Sequence, residues 1–192
     1  MSADVAAALF AVVVVGFLVG FLVLATYNGV VALDRRIDKA WGNVEVALQQ
    51  RHDELPNVVA AVRGGLAFER ETLERVTRAR AGWSPIAPVP AQAAVSDETT
   101  AAVRQLFAVL ERYPELRSEA NVAALQAEIE RLEDLIADRR ELYNDQVYRY
   151  NTRIGQLPAV LLAGPFGWRP RPFFVAPDAA GPPPATDLAT TG

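Results

Sequence analysis

The stretch Asn121 to Pro158, NVAALQAEIERLEDLIADRRELYNDQVYRYNTRIGQLP, decides the fold. Val122, Leu125, Ile129, Leu132, Ile136, Arg139, Tyr143, Val147, Tyr150, Ile154 and Leu157 follow one another at steps of three or four. That is the spacing of a single helical face. Uninterrupted, such a helix spans about 55 Å. Its period of about 3.5 favours coiled-coil-like packing, and self-association through this helix is the rival to an intrachain bundle. Glu128, Glu130, Glu133 and Asp134 alternate with Arg131, Arg139 and Arg140 and read as the solvated side. Asn121 can serve as its N-cap.

A helix that long needs partners, and the preceding sequence offers them. Val30, Leu33, Ile37, Trp41, Val44, Leu48 and Leu55 recur at steps of three, four, four, three, four and seven, with charges between. Pro56 removes one helical hydrogen bond and crowds the turn before it. A kink or break is therefore expected near Leu55, with the helix continuing through Val58, Val62, Leu66, Leu73 and Val76 to about Arg80. Three prolines between Gly82 and Ser96 predict an extended connection. Ser96 then caps a helix through Val103, Leu106, Phe107 and Leu110 that Pro114 ends. The fold class is all-α: an N-terminal transmembrane helix followed by an elongated antiparallel bundle of about four helices. The bundle covers residues 26–158 with the Pro-rich connection at 82–96.

Further toward the N-terminus, Val5 to Ala25 contains no charge and no hydrogen-bonding side chain. As a helix it reaches about 30 Å, the thickness of a bilayer's hydrocarbon core. A cleavable signal with Val23-Leu24-Ala25 before the cut is the rival, but the run is long for one and no Lys or Arg precedes it. Arg35, Arg36 and Lys39 follow it within about fifteen residues, which orients the N-terminal residues 1–4 outside and the rest in the cytoplasm. The expected location is thus the cell membrane, single-pass, with the lipid bilayer as first partner through residues 5–25.

On the C-terminal side, Phe166, Trp168, Phe173 and Phe174 interleave with Arg169 and Arg171, forming an aromatic terminal segment at 159–176. It is expected to fold over the open end of the bundle, and the competing reading is a stretch that lies at a membrane surface or binds a partner. Residues 177–192 read as a disordered tail.

Chemistry is sparse. Cysteine is absent, which excludes disulfides and thiolate catalysis. With 23 acidic against 19 basic residues, the balance argues against nucleic acid as a partner. Phosphate loops, dinucleotide-binding glycines and nucleophile elbows are missing. The lone histidine, His52, stands beside Asp53 and Glu54, so a ligand sensor or enzyme centred there is the alternative function. No Glu-x-x-His occurs, the pattern that carboxylate-bridged metals require in bundles. Catalytic residues, metal ligands and cofactors are therefore expected to be none, and the chain no enzyme. Amides cluster instead near helix ends. Asn57, Asn144, Asn151 and Arg153 form the candidate interaction patch, because their directed hydrogen bonds sit beside Tyr143 and Tyr150. The competing explanation is structural, with the amides satisfying backbone groups.

The same residues carry a resemblance. Thr26-Tyr27-Asn28, Arg36-Ile37-Asp38-Lys39-Ala40-Trp41 with Asn43-Val44-Glu45, Gln50 through Val59, Tyr143-Asn144-Asp145 and Tyr150-Asn151-Thr152-Arg153-Ile154 resemble the LemA family in order and spacing, as do Ala163-Gly164-Pro165-Phe166-Gly167 and Phe173-Phe174. The resemblance implies a single-pass membrane protein with an inner helical domain and carries over no enzymatic activity. The Pro-rich connection and tail depart from the family pattern. The function expected is a membrane-anchored, non-enzymatic interaction or scaffold module with an unidentified protein partner or a homo-oligomer.

Overall fold

A computed structural model describes residues 3–63 and 69–176. Among them are six helices and no strand: α1 (Ala3–Val62), α2 (Arg70–Ala81), α3 (Val89–Leu110), α4 (Pro114–Arg117), α5 (Ala120–Gly155) and α6 (Ala159–Phe166). The protein is an all-α helical bundle. Residues 177–192, expected to be a disordered tail, lie outside the described residues, as do Gly64 and Gly65.

α1 shows no break at Pro56 and stops short of the expected continuation to Arg80. The helix passes through this proline and ends at Val62, and α2 starts afresh at Arg70. One missing N–H and one crowded turn cost about 3 kcal/mol in isolation. Here Leu55, Val58, Val59 and Val62 are all buried, and that flanking contact keeps the helix going.

The Pro-rich connection is also shorter than expected. α3 begins at Val89 rather than at Ser96, with Pro88 as N-cap and Pro90 in the first turn. A proline there loses nothing, because the first N–H groups of a helix have no internal acceptor, and its fixed φ suits the turn. Ala91, Ala93 and Ala94 then favour the helix. Ser96 is accordingly a buried helix-interior residue and no cap. Asn121, likewise, lies inside α5, which starts at Ala120.

The chain forms two compact units. One comprises residues 42–143 together with the segment from Pro172; the other comprises residues up to Trp41 together with Asn144–Arg171. In the first, Leu55, Val58, Val62, Val76, Val103, Leu106, Leu110, Ile129 and Leu132 build one core from α1, α2, α3 and α5. Gln92, 1% exposed, orders the turn before α3 by donating to the carbonyls of Pro85 (3.2 Å) and Ala87 (2.9 Å). Phe174 is wholly buried in this unit, with the Arg140 guanidinium 5.4 Å from its ring centroid. Tyr143 donates its hydroxyl to the Pro172 carbonyl at 2.9 Å. The aromatic ending is therefore shared between units: α6 and Trp168 belong to one, Phe173 and Phe174 to the other.

In the second unit Val30, Ile37, Val147, Tyr150, Ile154 and Ala159 are buried. From Ala7 to Leu24 every residue of α1 but the half-buried Val23 is exposed, with Val13 at 68% and Phe17 at 72%. Where this run ends, Thr26 returns its hydroxyl to the Leu22 carbonyl at 2.7 Å, so its polar group is satisfied within the helix.

Candidate functional site

The four patch residues divide between the two units. Asn57, on α1, belongs to the first, is exposed, and donates only to Glu54 Oε2 one turn earlier, at 3.2 Å. Asn144, Asn151 and Arg153 lie on α5 in the second, each half-buried. Asn151 has a defined structural task. Its Nδ2 donates to the Arg171 carbonyl at 3.0 Å, and its Oδ1 accepts from the Arg171 N–H at 2.8 Å. One amide thus satisfies both backbone groups of a residue outside any helix. The Arg171 side chain meanwhile bonds to Asp38 and lies 3.7 Å from Asp34. Asn151→Ala is expected to cost about 1–3 kcal/mol by orphaning those backbone groups. Asn57→Ala should stay within about 0.5 kcal/mol. Thermal melts of both variants check the contrast.

His52, Asp53 and Glu54 do not converge. Asp53 is exposed and accepts from Gln49 at 2.8 and 2.9 Å, while Glu54 accepts from Asn57. No group of three His, Asp or Glu among the described residues is disposed to hold a metal. The His52 ring packs against Trp83, centroids 4.9 Å apart, with Nδ1 buried and without a hydrogen-bond partner among the described residues, and its carbonyl accepts from Arg80 Nε at 3.0 Å. Burial first, then the Arg80 charge, lowers the imidazole pKa below its ordinary 6.5, with Asp53 opposing. Below that pH the unfolded chain takes up a proton that the folded chain resists. This contribution to stability is therefore present above the ordinary value and lost as the pH falls below it. Between about pH 7.5 and pH 5.5 the wild type should lose more thermal stability than His52→Gln, measured by parallel melts.

Three helices of the first unit meet at a polar cluster that sequence reading missed. Arg51, 3% exposed on α1, donates through Nη1 to Glu133 Oε1 on α5 (2.7 Å) and to Thr100 Oγ1 on α3 (2.9 Å). Its Nη2 donates to Ser96 Oγ at 3.0 Å. Thr100 passes its own proton to Glu133 Oε2 at 2.6 Å, so both carboxylate oxygens are engaged. Glu133 is thus no part of the solvated face: its side chain is 20% exposed. A signal did exist. The step of seven from Leu48 to Leu55 skips the place on the apolar face that Arg51 fills.

An open cleft of about 680 Å³ in the same unit is lined by Arg63, Arg70, Leu73, Glu74, Thr77 and Arg78. Among the described residues, Arg63, Arg70 and Arg78 make no ion pair there, so the rim carries more positive than negative charge. In the second unit Tyr27 lies against Phe166 and Trp168, with ring centroids 5.0 and 6.2 Å away, and Phe166 stacks on Trp168 at 5.3 Å.

The aromatic and amide positions quoted from the sequence thus occupy defined places, and the family model for the LemA family matches residues 40–187. The chain belongs to the LemA family. The match takes in the Arg51 cluster, the cleft, Asn151 with Arg171 and the Phe166–Trp168 pair. No curated protein matches the chain.

Proposed function

We propose that the protein is a membrane-tethered, non-enzymatic interaction module, anchored by residues 5–25 with its N-terminus outside and its helical domain at the cytoplasmic face. The observation that carries this reading is the bare apolar stretch of α1, whose most apolar eighteen residues are not buried at all. Such a surface is unfavourable in water, and a continuous run of this length suits lipid. The orientation rests on Arg36 and Lys39, exposed just beyond the run, with no basic residue before it. Satisfied clusters such as Arg51 with Glu133 support a fixed scaffold, and the arginine-rimmed cleft supplies a surface for an acidic protein partner.

Protease added to intact spheroplasts should leave everything after the span uncut. Digestion of the helical domain from outside overturns the topology. Photo-crosslinking in living cells from probes at Asn57 and Thr77, with exposed Glu130 as control, tests the module itself. A discrete heterologous product from the first two sites is expected, and self-crosslinks alone would replace the partner with a homo-oligomer.

A further inference from the structure

We propose that α6 and the turn leading into it form a second membrane contact, lying in the headgroup region beside the emerging span with Leu157 of the turn and Leu161 of the helix in lipid. This rests on the anchoring of residues 5–25 and adds to it a second, separate site of contact. Three observations from one compact unit carry it.

The first is position. Tyr27 comes two residues after the apolar run ends, and its ring touches Phe166 at the end of α6. Eight helical residues extend only about 12 Å, so all of α6 stays close to the level at which the span leaves the hydrocarbon. The second is chemistry. No charged residue occurs between Arg153 and Arg169, and Leu157 and Leu161 are each 70% exposed with Val160 beside them. Val160 is 44% exposed, so three apolar side chains within five residues stay open. The third is the flanking set. Tyr27 and Trp168 flank Phe166 in one aromatic group, and it is tyrosine and tryptophan, apolar rings with a polar O–H or N–H, that membrane interfaces favour. Arg169 follows, exposed and without a partner among the described residues, and can meet anionic headgroups, whereas Arg171 is committed to Asp34 and Asp38. A protein partner could cover the same leucines, but the place where the span holds them is occupied by lipid headgroups before any partner arrives.

The chain has no cysteine, so each introduced one is a unique labelling position. Full-length Leu157→Cys and Leu161→Cys, spin-labelled and reconstituted in vesicles of mixed phosphatidylcholine and phosphatidylglycerol, are compared with Val13→Cys in the span and Glu130→Cys on the exposed face of α5. Collision with oxygen, which enters lipid, and with a water-soluble nickel chelate reports the depth of each label. Both leucine positions should favour oxygen over the chelate, to a degree between the two controls. If they behave like Glu130 while Val13 reports lipid, the second contact is wrong and the anchor stands. If Val13 itself reports water, both fall. Shielding of the leucine positions from both reagents means that protein covers them, which also overturns the inference. Melts matching the wild type establish that the labelled chains are folded.

Discussion

Glu133→Ala lowers the stability of the folded protein by about 3–5 kcal/mol, because it strands the buried Arg51 guanidinium without its counter-charge. For a chain of this size that corresponds to a melting point about 6–20 °C lower. Arg51→Ala has a similar effect from the other side, leaving Glu133 facing Ser96 and Thr100 with one acidic group too many. The pair taken out together should behave differently. In Arg51→Met with Glu133→Leu, apolar volume replaces both charges, and Thr100 can return its hydroxyl to the helix carbonyl four residues back. The double variant is expected to recover most of the loss. Thermal melts of the full chain in detergent decide it: a double variant no more stable than Glu133→Ala would mean that the cluster contributes through geometry that the charges alone supply.

Leu106→Ala is the second large effect, at about 2–5 kcal/mol, since the side chain is fully buried where α1, α2, α3 and α5 converge and its removal leaves a cavity. Leu142→Ala is the matched control. Leu142 sits on α5 at 51% exposure, and its truncation should change stability by no more than about 0.5 kcal/mol. Similar losses at both positions in denaturant titration would contradict the location of the core.

The helices were legible where one face repeats without interruption. α5 is the clearest case: Val122, Ile129, Leu132, Ile136, Tyr143, Val147, Tyr150 and Ile154 are all buried, as their spacing implies, whereas Leu125 and Arg139 are half-buried and Leu157 falls beyond the end of the helix and is exposed. Proline was less transparent, because its effect depends on register. At Pro56 the flanking valines outweigh a lost hydrogen bond, and at Pro88 and Pro90 the same residue starts a helix instead of preventing one. The Arg51 cluster was hidden for another reason. Charges on a helix face are usually solvated, and only the approach of α3 to both α1 and α5 shows that this guanidinium and this carboxylate meet. Asn151 was singled out for the directed hydrogen bonds its amide can make to a partner, and in the structure that amide serves the backbone of Arg171, twenty residues on. The exposure of Leu157 and Leu161 was not legible, because nothing in the spacing of this short segment says which of its side chains the rest of the unit covers.

The ion pair between Asp38 and Arg171 joins residues 133 positions apart. On the ribosome this separation is time. At about 5–20 residues per second, Arg171 is made on the order of ten seconds after Asp38. Val30 and Ile37 are therefore made long before Val147, Tyr150 and Ile154 of α5, which are buried in the same unit. A chain released before α5 is complete is left with that apolar stripe uncovered, whereas one released between Gly155 and Arg171 lacks the ion pair to Asp38.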